Sequence, residues 1–341
     1  GLFGGYGIRF AESLALMEED AAHQMGKMVK RRKKAIIVHS LYNSEKPHSL
    51  DLLRYYGVPV YGSLDIACKC IGVLAQYGRY LKSYHAKSDF VLNWEAKAKP
   101  EGQQIIDVVY KSGSSALLEA EAKPLLRLPG AAVTSDALAT TEDAAADAAA
   151  AMGGKVVLKI SSPDILHKSD AKGVQLNLSG KDQVKKAFRE IIRNANAYKA
   201  DARIEGVLIS PMVGKGIEVI IGTKIDDQFG PVIMYGLGGV MVEILKDVSF
   251  RVLPISRRSA QRMIAETKSH PILDGARGDK PYDKKALINL LLVCSEIIEA
   301  YPQIHEMDLN PVIIHHEGLS IVDARILLKP APKEEKPGTA A

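Results

Sequence analysis

The chain has 341 residues, 47% of them hydrophobic and 25% charged, with a net charge of +5. That length suits two or three domains with real cores, and so mild a positive charge is too weak to argue for a nucleic-acid partner. No apolar run approaches the roughly 18–20 residues of a membrane span, no signal-peptide pattern is present, and Cys68, Cys70 and Cys294 build neither a disulfide framework nor a zinc site, so a cytoplasmic protein is expected.

The first residues, Gly1-Leu2-Phe3-Gly4-Gly5-Tyr6-Gly7, read like a strand end entering a turn, which suggests a chain that begins inside a larger polypeptide. Residues 10–32 place Phe10, Leu14, Met17, Ala21, Met25 and Met28 on one helical stripe. The basic run Lys30 to Lys34 closes that helix, where cations suit the helix dipole. Ala35-Ile36-Ile37-Val38 is a short buried strand, 47–56 a helix, Val58-Pro59-Val60-Tyr61 a second strand and 63–82 a long helix. This alternation predicts a small α/β domain over 1–86, truncated at its front. Residues 87–112 show no strong period and read as a linker.

A helical pattern resumes at Ser115 and runs through Leu126, and the alanine-rich 141–151 is another helix. Strands are expected at 155–160, 174–178, 206–210, 217–222, 231–235, 240–245 and 250–254, and near 311–315 and 319–323. Helices are expected at 182–199, 257–268 and 284–300, the last with Asp283 as N-cap. The mixture of hairpin-like strands and helices is an α+β pattern over 113–330. The end, 331–341, is rich in Pro, Lys and Glu and reads as a disordered tail.

The chemistry concentrates in Ser161-Ser162-Pro163-Asp164-Ile165-Leu166-His167-Lys168-Ser169-Asp170, a polar loop directly after a lysine-bearing strand. Ser161 is placed to cap a short turn there. Neutral imidazole is a usable nucleophile near pH 7, and its attack on a γ-phosphate gives a P–N bond that can pass the phosphoryl group on. The competing reading of His167 is a surface histidine. Lys159 is either a phosphate-binding point charge or an ordinary strand-end lysine. Gly236-Leu237-Gly238-Gly239 allows close backbone approach to phosphate or a tight hairpin, and is not a P-loop. Asp308 and Asn310 share one face of an extended segment. If their strand neighbours the one ending at Asp323, Asn310 and Asp323 could hold one Mg²⁺ by oxygen, although Asn-Pro also marks turns. Glu218, Glu243, Arg251 and Arg277 are further polar candidates, each with a plain surface reading.

In combination and order, these segments resemble the ATP-grasp part of the NDP-forming acyl-CoA synthetases, also called ADP-forming acetate–CoA ligases. The resemblance runs from about Leu117 to Leu328 through Glu121-Ala122-Lys123, Val156-Val157-Leu158-Lys159, the histidine loop, Glu218-Val219-Ile220-Ile221-Gly222, Tyr235-Gly236-Leu237-Gly238-Gly239, Val242-Glu243-Ile244-Leu245-Lys246-Asp247, Gly275-Ala276-Arg277-Gly278 and Glu306-Met307-Asp308-Leu309-Asn310-Pro311. Residues 1–86 resemble the flavodoxin-like portion of the family's CoA-ligase half through Leu2-Phe3-Gly4-Gly5-Tyr6 and Ile36-Ile37-Val38-His39-Ser40. The fold so implied is a truncated flavodoxin-like α/β domain followed by a two-subdomain ATP-grasp.

The resemblance also implies roles. His167 would be the family's second phosphorylated histidine, which exchanges phosphate with ADP, and Asp308 would steady it. Lys123, Lys159, Gly238, Gly239 and Arg251 would contact ATP/ADP, Ser210, Pro211, Met212 and Val213 would form the adenine hinge, and Glu218 would face the ribose. Asn310 and Asp323 would bind Mg²⁺. The family's CoA-binding domain and first catalytic histidine would lie upstream of residue 1, in the same gene or a partner subunit. An oligomer acting on a carboxylic acid or acyl-CoA is then expected, with no nucleic acid and no membrane. Two alternatives stay open: a non-catalytic regulatory module of an acyltransferase, and an ATP-grasp carboxylate–amine ligase, which would not need His167. The turn Pro129-Gly130-Ala131-Ala132-Val133 departs from the family's pattern without touching a catalytic group.

Overall fold

The computed structural model describes residues 5, 11–83, 96–165, 167–238, 246–275 and 278–331. They divide into two compact units, Gly1–Ala86 and Lys87–Ala341.

In the first unit, helix α1 (Glu12–Arg32) leads to β1 (Val38–His39), α2 (His48–Tyr55), β2 (Val60–Tyr61) and α3 (Leu64–Ser83). β1 and β2 pair in parallel through the α2 crossover, the βαβ arrangement the alternating pattern predicts. Their core is Ala22, Val38, Leu50, Leu53 and Val58. Gly26 lets α1 pass against the chain after α2, because a Cβ there would sit 2.1 Å from the Tyr56 ring. The basic run continues only to Arg32 in helix; Lys33 turns left-handed, and Lys30 lies over the Tyr55 and Tyr56 rings.

The second unit is built on two antiparallel sheets. The larger comprises β3 (Ala116–Leu117), β8 (Ile217–Asp226), β9 (Gly230–Leu237), β10 (Val248–Val252), β11 (Ile304–Ile314), β12 (Leu319–Ile321) and β13 (Ala324–Leu328). It runs in the order β10-β9-β8-β11-β13-β3, with β12 paired to β11. The smaller comprises β4 (Ala137–Ala139), β5 (Val156–Ser161), β6 (Val174–Leu178) and β7 (Gly206–Pro211), ordered β4-β7-β5-β6.

Helices α4 (Pro100–Lys111), α5 (Glu119–Arg127), α8 (Arg257–Ala265), α9 (His270–Leu273) and α10 (Lys284–Ala300) belong with the larger sheet, and α6 (Glu142–Met152) and α7 (Lys181–Tyr198) with the smaller. Alternation sets the faces: Met307 and Leu309 of β11 enter the core while Asp308 and Asn310 face away from it. Asp283 caps α10 as predicted, accepting from the Ala286 N–H.

Five expectations change. The helical pattern expected from Ser115 gives way to the short strand β3, whose Ala116 and Leu117 pair with β13, and the helix starts only at Glu119. Residues 100–111, read as part of a linker, form α4, with Ile106 and Val109 in the core and Lys99 N–H donating to Tyr301 Oη at 3.1 Å. The strand near 311–315 begins at Ile304, so Asn310-Pro311 lies inside a strand rather than at a turn; the ladder to β8 is interrupted there, where proline has no N–H to donate. The strand expected over 319–323 breaks at Val322–Asp323 into β12 and β13. Gly236 is a ladder residue of β9, opposite Val248, so it turns no tight hairpin. The strand expected at 240–245 and the tail from 332 lie outside the described residues.

Candidate active site

Both sheets of the second unit contribute to one cavity of about 810 Å³. At one end sits Glu119, the first residue of α5 and only 4% exposed. Three ammonium groups converge on its carboxylate. Lys123, one helical turn on, and Lys159, from the middle of β5, reach Oε1 at 2.7 and 2.6 Å, and Lys168 of the histidine loop reaches Oε2 at 2.8 Å. The break between β12 and β13 supplies a second anchor: the Val322 carbonyl accepts from Lys123 at 2.9 Å and Lys159 at 2.7 Å. Lys123 also donates to Thr134 Oγ1 and Asp136 Oδ2. Those acceptors use all its protons, and it lies behind the cavity wall, where it braces Glu119 and Asp136. Lys159 does line the cavity, and at 4% exposure it is no solvent-facing strand-end lysine.

The charges here set one another. Burial alone would raise the Glu119 carboxyl, but Lys159, Lys168 and Lys123 together hold it far below the usual carboxylate range. Burial lowers Lys159 despite Glu119 and Asp323. Burial also acts to lower Lys168, yet Glu119 and Asp323 outweigh it and leave that ammonium raised. Burial raises Asp323, with Lys168 pulling against it. Asp308 is raised by burial as well; Arg325, its register partner on β13, opposes the rise, and Asp323 and Glu306 add to it.

The histidine loop leaves β5 at Ser161, which is still a buried strand residue. The cap expected there is made one residue later, by Ser162 Oγ accepting from the Asp164 N–H at 3.2 Å. The loop then closes through Asp170 N–H to His167 O and Gly173 N–H to Lys168 O. Gly173 is needed for that closure: a Cβ would lie 2.6 Å from Ile160 Cγ2 and 3.1 Å from the Lys168 carbonyl. His167 is exposed and lines the cavity, as do Asp308, Asn310 and Asp323. No hydrogen bond joins His167 to Asp308 among the described residues; they share only the cavity wall. Asn310 and Asp323 are brought together by the Asn310 N–H donating to the Asp323 carbonyl at 3.2 Å. Both offer hard oxygens, and Asp323 already holds a cation, the Lys168 ammonium, at 2.7 and 2.9 Å.

The other end of the cavity is formed by Ser210, Pro211, Met212, Val213 and Glu218, where β7 passes to β8. Ser210 is 3% exposed and its hydroxyl has no hydrogen-bond partner among the described residues. Gly238 stands behind this wall, its N–H donating to the Glu218 carbonyl at 2.7 Å. Arg251 is not brought to the cavity: it pairs with Glu266 at 2.6 Å on the far side of β9 in the sheet order. Gly239, Glu243 and Arg277 lie outside the described residues. Glu119 escaped the sequence reading although its spacing to Lys123, four residues along a helix, was a usable signal. For Lys168 the sequence offers only its place beside His167.

Residues 108–328 match the ATP-grasp domain family. The beta subunit of ADP-forming acetate–CoA ligase II from Pyrococcus furiosus is 49% identical over 234 residues, covering 68% of this chain and 99% of that subunit. The chain belongs to the ADP-forming acetate–CoA ligase family. Within that family the single-chain ADP-forming acetate–CoA ligase I of Archaeoglobus fulgidus is 43% identical over 277 residues, and the chain spans 40% of its length. Among solved structures, an acetyl-coenzyme A synthetase chain from Ca. Korarchaeum cryptofilum, in complex with coenzyme A and Ca-AMPCP, matches with TM-score 0.65 and 43% identity, over 67% of this chain and all of that one. Another structure of that enzyme, at 41% identity and TM-score 0.59, holds Mg-AMPPCP with a phosphohistidine segment pointing towards the nucleotide site. The two-sheet ATP-grasp architecture described above is therefore the architecture of an ADP-forming acetate–CoA ligase beta subunit.

Proposed function

We propose that the chain carries out the nucleotide half-reaction of an ADP-forming acyl-CoA synthetase: phosphohistidine + ADP ⇌ histidine + ATP at His167. The observation that supports this reading most directly is the single cavity onto which His167, the Lys159/Lys168 cations and the Asn310/Asp323 oxygens all open. In the direction of ATP synthesis the Nτ–P or Nπ–P bond of the imidazole breaks, a β-phosphate oxygen of ADP forms the new P–O bond, and the imidazole is left free. Asp308 is available to steady the ring through its charge. Ser210 to Val213 would hold the base, where the unpartnered Ser210 hydroxyl offers a hydrogen bond, and Glu218 would meet the ribose. Lys159 and Lys168 would neutralise phosphate. Mg²⁺, held by Asn310 and Asp323, would supply charge neutralisation at the transferred group when bound; their hard-oxygen pair matches its habit of one or two protein ligands completed by phosphate and water.

The whole reaction would be acyl-CoA + ADP + phosphate ⇌ carboxylic acid + ATP + CoA. It would need a CoA-binding half with its own histidine, in the same gene or a partner subunit within an oligomer. The free cysteines and the lack of any described helix long and apolar enough to cross a membrane support a cytoplasmic setting.

Incubation with Mg²⁺ and γ-labelled ATP tests the reading. Acid-labile, base-stable label is expected on the wild type and on His39→Ala, and its loss on His167→Ala. An unlabelled protein that still binds ATP, with the CoA-binding half present, would instead favour a regulatory module or an amine ligase.

A further inference from the structure

Lys168 and Asp323 form a pair that the nucleotide reading leaves unexplained. The Lys168 ammonium lies 2.9 and 2.7 Å from the two oxygens of Asp323 while also holding Glu119 at 2.8 Å. Both oxygens of a magnesium ligand are thus occupied by a side chain of the protein itself. A divalent cation on that carboxylate would lie within a few ångströms of the ammonium, and in a partly buried site the two like charges compete for it.

The cluster also balances. Lys123, Lys159 and Lys168 face Glu119, Asp136 and Asp323, three charges of each sign in contact. Of the three lysines only Lys168 is free to leave. Lys123 and Lys159 rise from a helix and a strand, are almost fully buried and are tied to the Val322 carbonyl. Lys168 rises from a loop, and its side chain is 20% exposed toward the cavity.

We propose that Lys168 is an exchangeable placeholder cation: it neutralises Asp323 until metal and nucleotide arrive, then yields that carboxylate and turns its charge to the phosphates beside His167. This deepens the nucleotide reading above and rests on it. The exchange reaches the histidine through the backbone. His167 and Lys168 share a peptide bond, and their carbonyls close the loop by accepting from Asp170, Ala171 and Gly173. Release of the Lys168 ammonium from Asp323 frees the turn that carries His167 from its tie to the larger sheet's elements, so metal occupancy would act on the position of the phosphoryl acceptor. Lys168 is in this sense a positioning residue as well as a phosphate cation.

The test is a Mn²⁺ titration of the full chain read by electron paramagnetic resonance, with the variants' affinities compared before ADP is added, so that no phosphate contact of Lys168 contributes, and ADP added afterwards. Removing the competing cation in Lys168→Met or Lys168→Gln should tighten Mn²⁺ binding at least threefold, and Lys168→Arg should return it to the wild-type value. A merely structural lysine would give weaker binding on removal, so equal or weaker Mn²⁺ affinity in the neutral variants overturns the proposal. Hydrogen exchange on the wild type gives an independent check that needs no variant. Amides of 168–173 should change protection on adding Mn²⁺ with ADP, and unchanged protection there also overturns it. If the wild type shows no ADP-dependent Mn²⁺ binding at all, the nucleotide reading fails first and takes the placeholder with it.

Discussion

Glu119 shows how much a single residue can carry without standing out in a sequence. It is a glutamate at a helix start, common in itself, and its meaning comes from Lys159 and Lys168, which arrive from 40 and 49 residues away. Glu119→Gln leaves three buried ammoniums without their shared anion. We expect it to lose about 3–5 kcal/mol of stability in urea unfolding, the range for breaking a buried pair from one side. The pH dependence has a definite sign. The folded carboxyl is held below its unfolded value, so its contribution is complete above the ordinary glutamate pKa and is lost as pH falls below that. A urea midpoint measured from pH 7 downward should therefore fall more steeply in the wild type than in Glu119→Gln. Asp308 has the opposite sign: its folded pKa is raised by burial, so its ionised form weakens the fold as pH rises past the ordinary aspartate value. Asp308→Asn should raise the melting temperature by a few degrees while slowing phosphoryl transfer, a trade-off expected where a charge is kept for chemistry. His167, Asp308, Asn310 and Asp323 were legible because they lie in short, chemically distinctive runs. Arg251 misled because a lone arginine says nothing of its partner, here Glu266.

At the scale of elements, periodicity worked where the buried stripe is long and failed where it is short. Helix α7 shows its stripe plainly, with Val184, Ala187, Phe188, Ile191 and Ala195 buried. Helix α4 has a stripe too, with Ile105, Ile106, Val109 and Tyr110 on one face against the core, but it is short and exposed Val108 blurs it. Ile106→Ala should cost about 2–5 kcal/mol in a denaturant titration, as for any fully buried isoleucine, whereas a true linker residue would cost nearly nothing. The break in the strand at Val322–Asp323 was equally hidden, because nothing in Ser320 to Arg325 marks a stop. Its cause is tertiary: the freed Val322 carbonyl accepts from two lysines of other elements. Gly173→Val should show that the histidine loop is held as tightly. The clash with Ile160 predicts a loss of about 1–3 kcal/mol by thermal unfolding together with weaker labelling at His167.

At the scale of the molecule, alternation of helices and strands was enough to separate an α/β unit from an α+β one, but it could not show which sheet each strand joins. Strands β5 and β8 read alike, yet β5 faces β8's sheet across the cavity. The chain crosses between the two sheets at 128–136 and again at 212–216. Elsewhere they are joined at the cavity by the contacts of Lys159 and Lys168, from the smaller sheet and its loop, with Glu119, Val322 and Asp323 of the larger sheet's elements. The two crossings and this ionic latch fasten the smaller sheet to the larger one at the cavity itself. The groups that would meet an anionic ligand are thus also the groups that close the seam between the sheets, so the site and the seam are a single structure.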